Sequence, residues 1–205
     1  MRWYAIFVKT GKEEEVKQAL ERQITSCVCC IPKRMVPEKR NGQFVHVVKK
    51  MFPSYVFIRV HMNFNLYYQI MRNSNALYFL NFLNKRDRSF WNNSWDDMPE
   101  GDFFKWIPDE EMDPILELIN LQNDTMEYST FCLKQDHLAI VEGPLMGMEN
   151  KIKKINKRSM RAKLAIHFMG VENLVDIGFR YPDSYAAEER DWRNGVGIWH
   201  TSYRS

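Results

Sequence analysis

The chain has 205 residues, is 45% hydrophobic and 14% aromatic, and carries a formal net charge of only +3. That length admits one large domain or two small ones, and so weak a charge does not by itself imply nucleic-acid binding, which leaves charge placement to decide. No run of 18 apolar residues occurs, which excludes a membrane-spanning helix.

Trp3 to Lys9 reads as a strand, because the apolar run is too short for a signal-peptide core and no small-residue cleavage site follows it. Thr10-Gly11-Lys12-Glu13 has the form of a capping box, with Thr10 as N-cap and Glu13 reaching back. Val16, Ala19, Leu20 and Ile24 then recur at helical spacing, predicting a helix from about Lys12 to Ile24. Residues 35 to 50 predict a hairpin turning at Asn41-Gly42.

Met51-Phe52-Pro53-Ser54-Tyr55-Val56-Phe57-Ile58-Arg59-Val60 is a strand entered through a proline turn. Side chains alternate along a strand, so Val56, Ile58 and Val60 form an aliphatic face, while Tyr55, Phe57 and Arg59 form the other. Two arrangements satisfy this pattern: burial on both faces, or an open sheet that keeps an aromatic contact surface exposed. Phe64 to Arg72 predicts a second helix and Ala76 to Phe82 a further strand. Ile115, Leu116, Leu118 and Ile119 belong to a third helix, in which Pro114 is expected only within the first turn. The order β-α-β-β-α-β-α predicts an α+β unit with a single sheet and helices on one face.

Leu121 to Thr130 is polar and reads as a linker. Residues 131–180 predict a small all-β unit that avoids open edges by closing as a barrel, with Ile152, Ile155, Leu164, Ile166, Phe168, Leu174, Val175 and Ile177 as its core. The expected organisation is therefore 1–120 with an insertion at about 84–105, a linker at 121–130, a barrel at 131–180 and an extension at 181–205. Cys27, Cys29, Cys30 and Cys132 lack paired metal-site spacing and are read as reduced structural thiols of a cytosolic protein. His46, His61, His137, His167 and His200 are scattered. With no phosphate-binding glycine loop, nucleophile elbow or catalytic carboxylate pair, the reading is that the chain is not an enzyme and takes no cofactor or metal.

Val141-Glu142-Gly143-Pro144-Leu145-Met146-Gly147-Met148-Glu149-Asn150-Lys151-Ile152 combines a Gly-Pro turn, a second glycine bend and re-entry into a strand. It resembles the KOW motif, carried here by Val141, Gly143, Pro144, Gly147 and Asn150; Asn150 stands where that pattern has glycine and is expected to tolerate a left-handed backbone. Phe168-Met169-Gly170 fits the end of such an SH3-like barrel. Ahead of it, Trp3-Tyr4, Lys9-Thr10-Gly11-Lys12 and Phe52-Pro53-Ser54-Tyr55-Val56-Phe57 resemble the N-terminal (NGN) domain of the NusG family of transcription elongation and antitermination factors. Trp3 to Val16 is similar to the LoaP-type specialised paralogues.

That resemblance implies a cytoplasmic, monomeric factor that promotes processive antitermination at selected operons. Its N-terminal sheet would dock on the β′ clamp helices of RNA polymerase through Phe7, Tyr55, Phe57, Phe79 and Phe82, aromatic side chains being strong interface anchors. Lys9, Lys12, Lys33, Arg34, Lys39, Arg40 and Arg72 would lie near non-template DNA or hold an RNA hairpin, contacting phosphates rather than bases. Specialised relatives touch the opposing polymerase lobe through a polar motif at the second helix, where this chain has Leu66, Tyr67 and Tyr68. In the KOW barrel, Lys151, Lys153, Lys157 and Arg158 form a basic face within the run that also contains Lys154, Arg161 and Lys163, and Lys151 and Lys153 are expected to share one side of a strand. RNA, or an acidic protein partner such as a ribosomal protein or termination factor, would suit that face equally. A KOW-containing RNA-binding protein of the translation apparatus is the competing reading, and it leaves the N-terminal domain without a purpose. The aromatics of the insertion, Phe90, Trp91, Trp95, Phe103 and Phe104, either cover the sheet or stack on bases, and the tail with Trp192 and Trp199 has no family counterpart.

Overall fold

Strand β1 (Arg2–Val8) is apolar at every position from Trp3 onward because it is central in its sheet and covered on both sides. The computed structural model describes residues 1–80, 100–134, 137–168 and 170–182. β1 pairs antiparallel with β5 (Tyr55–Val60) and β6 (Ala76–Phe79), and β2 (Val28–Cys30) joins β5, giving the order β2-β5-β1-β6. On one face Tyr4, Ile6, Val8, Val56, Ile58 and Val60 bury against Val16 and Leu20 of α1 (Glu13–Gln23) and Ile70 of α2 (Phe64–Met71). On the other, Trp3, Ala5 and Phe57 pack with Met112, Ile115 and Leu118 of α3 (Asp109–Leu118). The fold is α+β as predicted, but its helices divide two and one between the faces, since strands apolar on both sides need a layer on each.

Three local expectations change. Thr10 does not cap α1; its hydroxyl bonds that of Ser54 at 2.9 Å, and the helix starts after Lys12 with no side-chain cap, its first turn carrying Glu13, Glu14 and Glu15 at the positive dipole end. Pro114 lies inside α3 rather than in its first turn, and the burial of Met112, Ile115 and Leu118 outweighs the forfeited backbone bond. The hairpin β3 (Lys33–Arg40) and β4 (Gln43–Lys50) turns at Asn41-Gly42 as predicted but stays out of the first sheet. It forms its own three-stranded sheet with β7 (Thr125–Met126), which runs parallel to β3 within the stretch predicted as a linker. Asp124 fixes that stretch, accepting the Ile31 N–H at 3.1 Å and Lys17 Nζ at 2.5 Å.

The C-terminal strands β8 (Ser129–Lys134), β9 (His137–Glu142), β10 (Ile152–Asn156), β11 (Arg161–Phe168) and β12 (Val171–Arg180) form one small all-β unit in the order β10-β11-β12-β8-β9. Phe131 and Phe179 stack at 4.6 Å in its core beside Leu164, Val175 and Ile177, whereas Leu174, expected inside, is 54% exposed. A single buried cluster continues from Trp3, Ala5 and Phe57 through α3 into this unit. The Cys29 and Cys30 thiols are buried, and desolvation pushes both well up, so they stay protonated and inert.

Glu13 turns inward at 1% exposure. Burial alone would raise its pKa, but Lys50 Nζ at 2.7 Å, its own backbone N–H and the Ser54 N–H at 2.9 Å outweigh that and hold the carboxyl below the usual range. Because folding lowers this pKa, the stabilisation is complete above the ordinary glutamate value of about 4.3 and is lost as pH falls through the folded-state value. Glu13→Gln is therefore expected to cost about 2 kcal/mol at pH 7. Urea titrations should show the gap to wild type narrowing on acidification; a gap constant with pH would mean that Glu13 is not the titrating group.

Candidate functional site

Alternation along β1 places Phe7 on the same side as Trp3 and Ala5, and the registers Phe7↔Tyr55 and Phe7↔Tyr78 bring three aromatics together. Phe7 lies edge-on to Tyr55 at 5.2 Å and stacks on Tyr78 at 4.9 Å. Phe7 and Tyr55 are half-buried and Tyr78 is 47% exposed, which leaves ring surface available at this end of the sheet. Burial, with a further contribution from Tyr78, raises the Tyr55 pKa and keeps its hydroxyl a donor.

The remaining predicted docking residues are placed differently. Phe57 shares this face but is fully buried, its ring edge-on to Phe52 at 5.7 Å and to Phe168 of the barrel at 5.3 Å. Phe79 turns to the helix-covered face, 4% exposed against Tyr4 and Tyr67, because the Ile6↔Phe79 register follows a shift at Phe7/Val8. Phe82 lies outside the described residues, as do Phe90, Trp91, Trp95, Trp192 and Trp199. Phe104, by contrast, is buried against Phe64 on the helix side. Tyr78 was absent from the predicted set, although the parity of the strand carried the signal: Phe79 and Phe82 are three apart and cannot share a face of a regular strand.

The basic residues divide by what already holds them. Lys9, Lys39 and Arg72 are exposed and make no ion pair among the described residues. Lys12 pairs with Glu15 at 2.6 Å, Lys33 with Glu14 at 2.9 Å and Arg40 with Glu38 at 3.1 Å, bonds exposed enough to be exchanged for other anions at small cost. Arg34 is different. It donates to the carbonyls of Asp176 and Lys50, and desolvation lowers its pKa, so it joins the hairpin to β12 rather than facing a ligand.

In the KOW segment, Val141 is 52% exposed near the end of β9, and Gly143 abuts Ser129, whose hydroxyl accepts the Leu145 N–H at 3.0 Å. Pro144 and Gly147 complete the bend. Asn150 sits in the 3-10 turn Glu149–Lys151 and does not adopt a positive φ, so this position does not require a left-handed backbone. Lys151 belongs to that turn, not to a strand, and with Lys153 it borders a cavity of about 320 Å3 beside Glu110, Pro114 and Glu172. A register irregularity between Ile152 and Lys154 separates Lys154 from this group. Lys157 and Arg158 remain exposed at the tip between β10 and β11. The predicted basic face is thus two surfaces, one toward α3 and one toward the hairpin.

Residues 1–90 match the family described as transcription termination factor nusG. The chain is 22% identical to the transcription termination/antitermination protein NusG of Pseudomonas aeruginosa over 87% of this chain and 95% of that one. It is 24% identical to the protein of the same name from Halalkalibacterium halodurans, over 86% and 94%. A solved structure described as "Domain interaction in Thermotoga maritima NusG" aligns at 18% identity and a TM-score of 0.45, covering 86% of this chain and 93% of that one.

Proposed function

We propose that this NusG-family chain is a transcription elongation factor that docks on RNA polymerase and promotes processive antitermination at selected operons, in the manner of the LoaP-type paralogues. It performs no chemistry; its effect comes from where it sits. The observation that carries the reading is the Phe7–Tyr55–Tyr78 cluster, a partly exposed aromatic surface at one end of the first sheet. Such rings supply anchor energy at interfaces, and the β′ clamp helices are the partner that the family resemblance assigns to this sheet. Phe57 supports the surface from beneath. Residues 1–120 act as the polymerase-binding domain. Lys9, Lys12, Lys33, Lys39, Arg40 and Arg72 lie toward non-template DNA or an RNA hairpin, and residues 131–180 engage RNA, a ribosomal protein or a termination factor. No helix among the described residues is long and apolar enough to cross a membrane.

Capture of core RNA polymerase tests this reading. Wild-type protein should bind, and Phe7→Ala/Tyr55→Ala should weaken capture at least about thirtyfold, the scale of two interface anchors. A wild-type chain that captures no polymerase would sink the function; a double variant that binds like wild type would sink the docking surface.

A further inference from the structure

We propose that the cleft between the hairpin β3–β4 and strands β10–β11 binds the phosphodiester backbone of a single-stranded nucleic acid. The inference rests on the preceding reading only in placing the chain beside nucleic acid. The cleft has a volume of about 670 Å3. Lys39 and Phe44 line it from the hairpin, and Lys154, Arg158, Arg161 and Lys163 from the barrel. Five basic side chains thus face one carboxylate, Asp176, which is already held by Lys163 at 2.9 Å.

The walls are fixed to one another, so the cleft has a defined width. Arg161 donates from Nε and Nη2 to the Pro37 carbonyl at 3.0 and 2.7 Å, and Arg34 bonds the Asp176 carbonyl from the other side. Gly178 allows the close approach: a β-carbon there would lie 2.8 Å from the Met35 carbonyl oxygen and 2.8 Å from Pro37 Cδ. With Arg161 and Lys163 engaged, Lys39, Lys154 and Arg158 are left exposed and without an ion-pair partner among the described residues. Most basic residues elsewhere on the hairpin are paired with Glu13, Glu14 or Glu38, so this uncompensated convergence is local. Concave walls of low dielectric focus such a field.

The lining selects the partner class. Protein interfaces depend on apolar anchors at their centre, and among the described residues the only apolar side chains lining the cleft are Pro37, Phe44 and Ala162. A groove of cations beside a half-exposed aromatic is instead the arrangement that tracks a phosphate backbone and stacks an unpaired base. Neither wall provides it alone.

Fluorescence anisotropy of the full chain with labelled 12-mer single-stranded RNA, and DNA of the same sequence, provides the test. Lys39→Gln on the hairpin wall and Lys154→Gln/Arg158→Gln on the barrel wall should each weaken binding, and the triple variant should lose at least about tenfold. The slope of log affinity against log salt should flatten by about 2, at about 0.7 for each phosphate that the variant no longer neutralises. Arg22→Gln/Arg59→Gln/Lys105→Gln removes the same charge elsewhere and should bind like wild type. Binding of both RNA and DNA supports backbone recognition, and the tighter arm identifies the source of the strand. Equal losses from the two triple variants, or an effect from only one wall, overturn the composite cleft. Polyglutamate binding more tightly than either strand overturns it in favour of an acidic protein. Polymerase capture by the Lys39→Gln/Lys154→Gln/Arg158→Gln variant should stay at wild-type level. A chain that captures polymerase but binds no strand through the cleft overturns this proposal and leaves the docking reading standing; the converse result does the reverse.

Discussion

Phe57→Ala is expected to destabilise the protein by about 3–5 kcal/mol, lowering the melting temperature by about 10 °C or more for a chain of this size. The ring is fully buried and stands opposite Ala5 on one neighbouring strand and Cys30 on the other. Both neighbours are small, and the space they leave is filled by Phe57 with Phe52 and Phe168 edge-on around it. Sheet backbones bound the resulting cavity, so it cannot collapse easily, and the cost belongs at the upper end for a lost aromatic. Phe168→Ala should lose a comparable amount from the barrel side, while Tyr55→Ala, half-exposed, should cost about 1 kcal/mol or less. Urea denaturation followed by circular dichroism measures all three. A loss below about 1 kcal/mol for Phe57→Ala would mean that the first sheet and the barrel do not share a core. The same reasoning makes Phe57 a poor probe of docking, because weakened polymerase capture by that variant would report unfolding; Phe7 and Tyr55 are the informative positions.

The elements were legible where a local rule decides them. Alternation in Tyr55–Val60 identified both faces of β5, and Asn41-Gly42 identified the hairpin turn. Relations between elements were less legible, because they depend on contacts distant in sequence. Nothing near residue 34 shows that its guanidinium will bond the carbonyl of residue 176, and Gly178 announces no hairpin packed against it. A polar stretch such as 121–130 reads as a connector, since the buried role of Asp124 depends on Lys17 and the Ile31 N–H. The candidate docking site was legible in part: Phe7 and Tyr55 lie together, and strand parity separates Phe79 from Phe82, while the register shift that turns Phe79 to the helix side depends on pairing with β1. The basic residues were countable, but which of them carboxylates already hold was not. Lys33 and Lys39 look alike in sequence and differ in whether Glu14 is within reach.

Gly143→Ala and Gly147→Ala should separate sharply although both remove a glycine of the same motif. Gly143→Ala is expected to cost about 4 kcal/mol, combining left-handed backbone strain with overpacking. At a φ of +101°, its new β-carbon would lie 2.6 Å from Ser129 Cα and 2.8 Å from the Tyr128 carbonyl oxygen, backbone atoms that cannot rotate away. Relief requires β8 to move from the turn, which breaks the Leu145 N–H bond to the Ser129 hydroxyl and exposes Leu145, buried at 0%. Gly147 also has a positive φ, +77°, yet among the described residues nothing lies within 4 Å of an added β-carbon. Gly147→Ala should therefore cost only the left-handed penalty, about 1 kcal/mol. Asn150→Gly should bring no gain, because the 3-10 turn there does not use the freedom that glycine adds. Equal losses at Gly143 and Gly147 in urea titrations would show that strain alone, rather than the approach of the β8 backbone, fixes glycine at the first bend of the barrel.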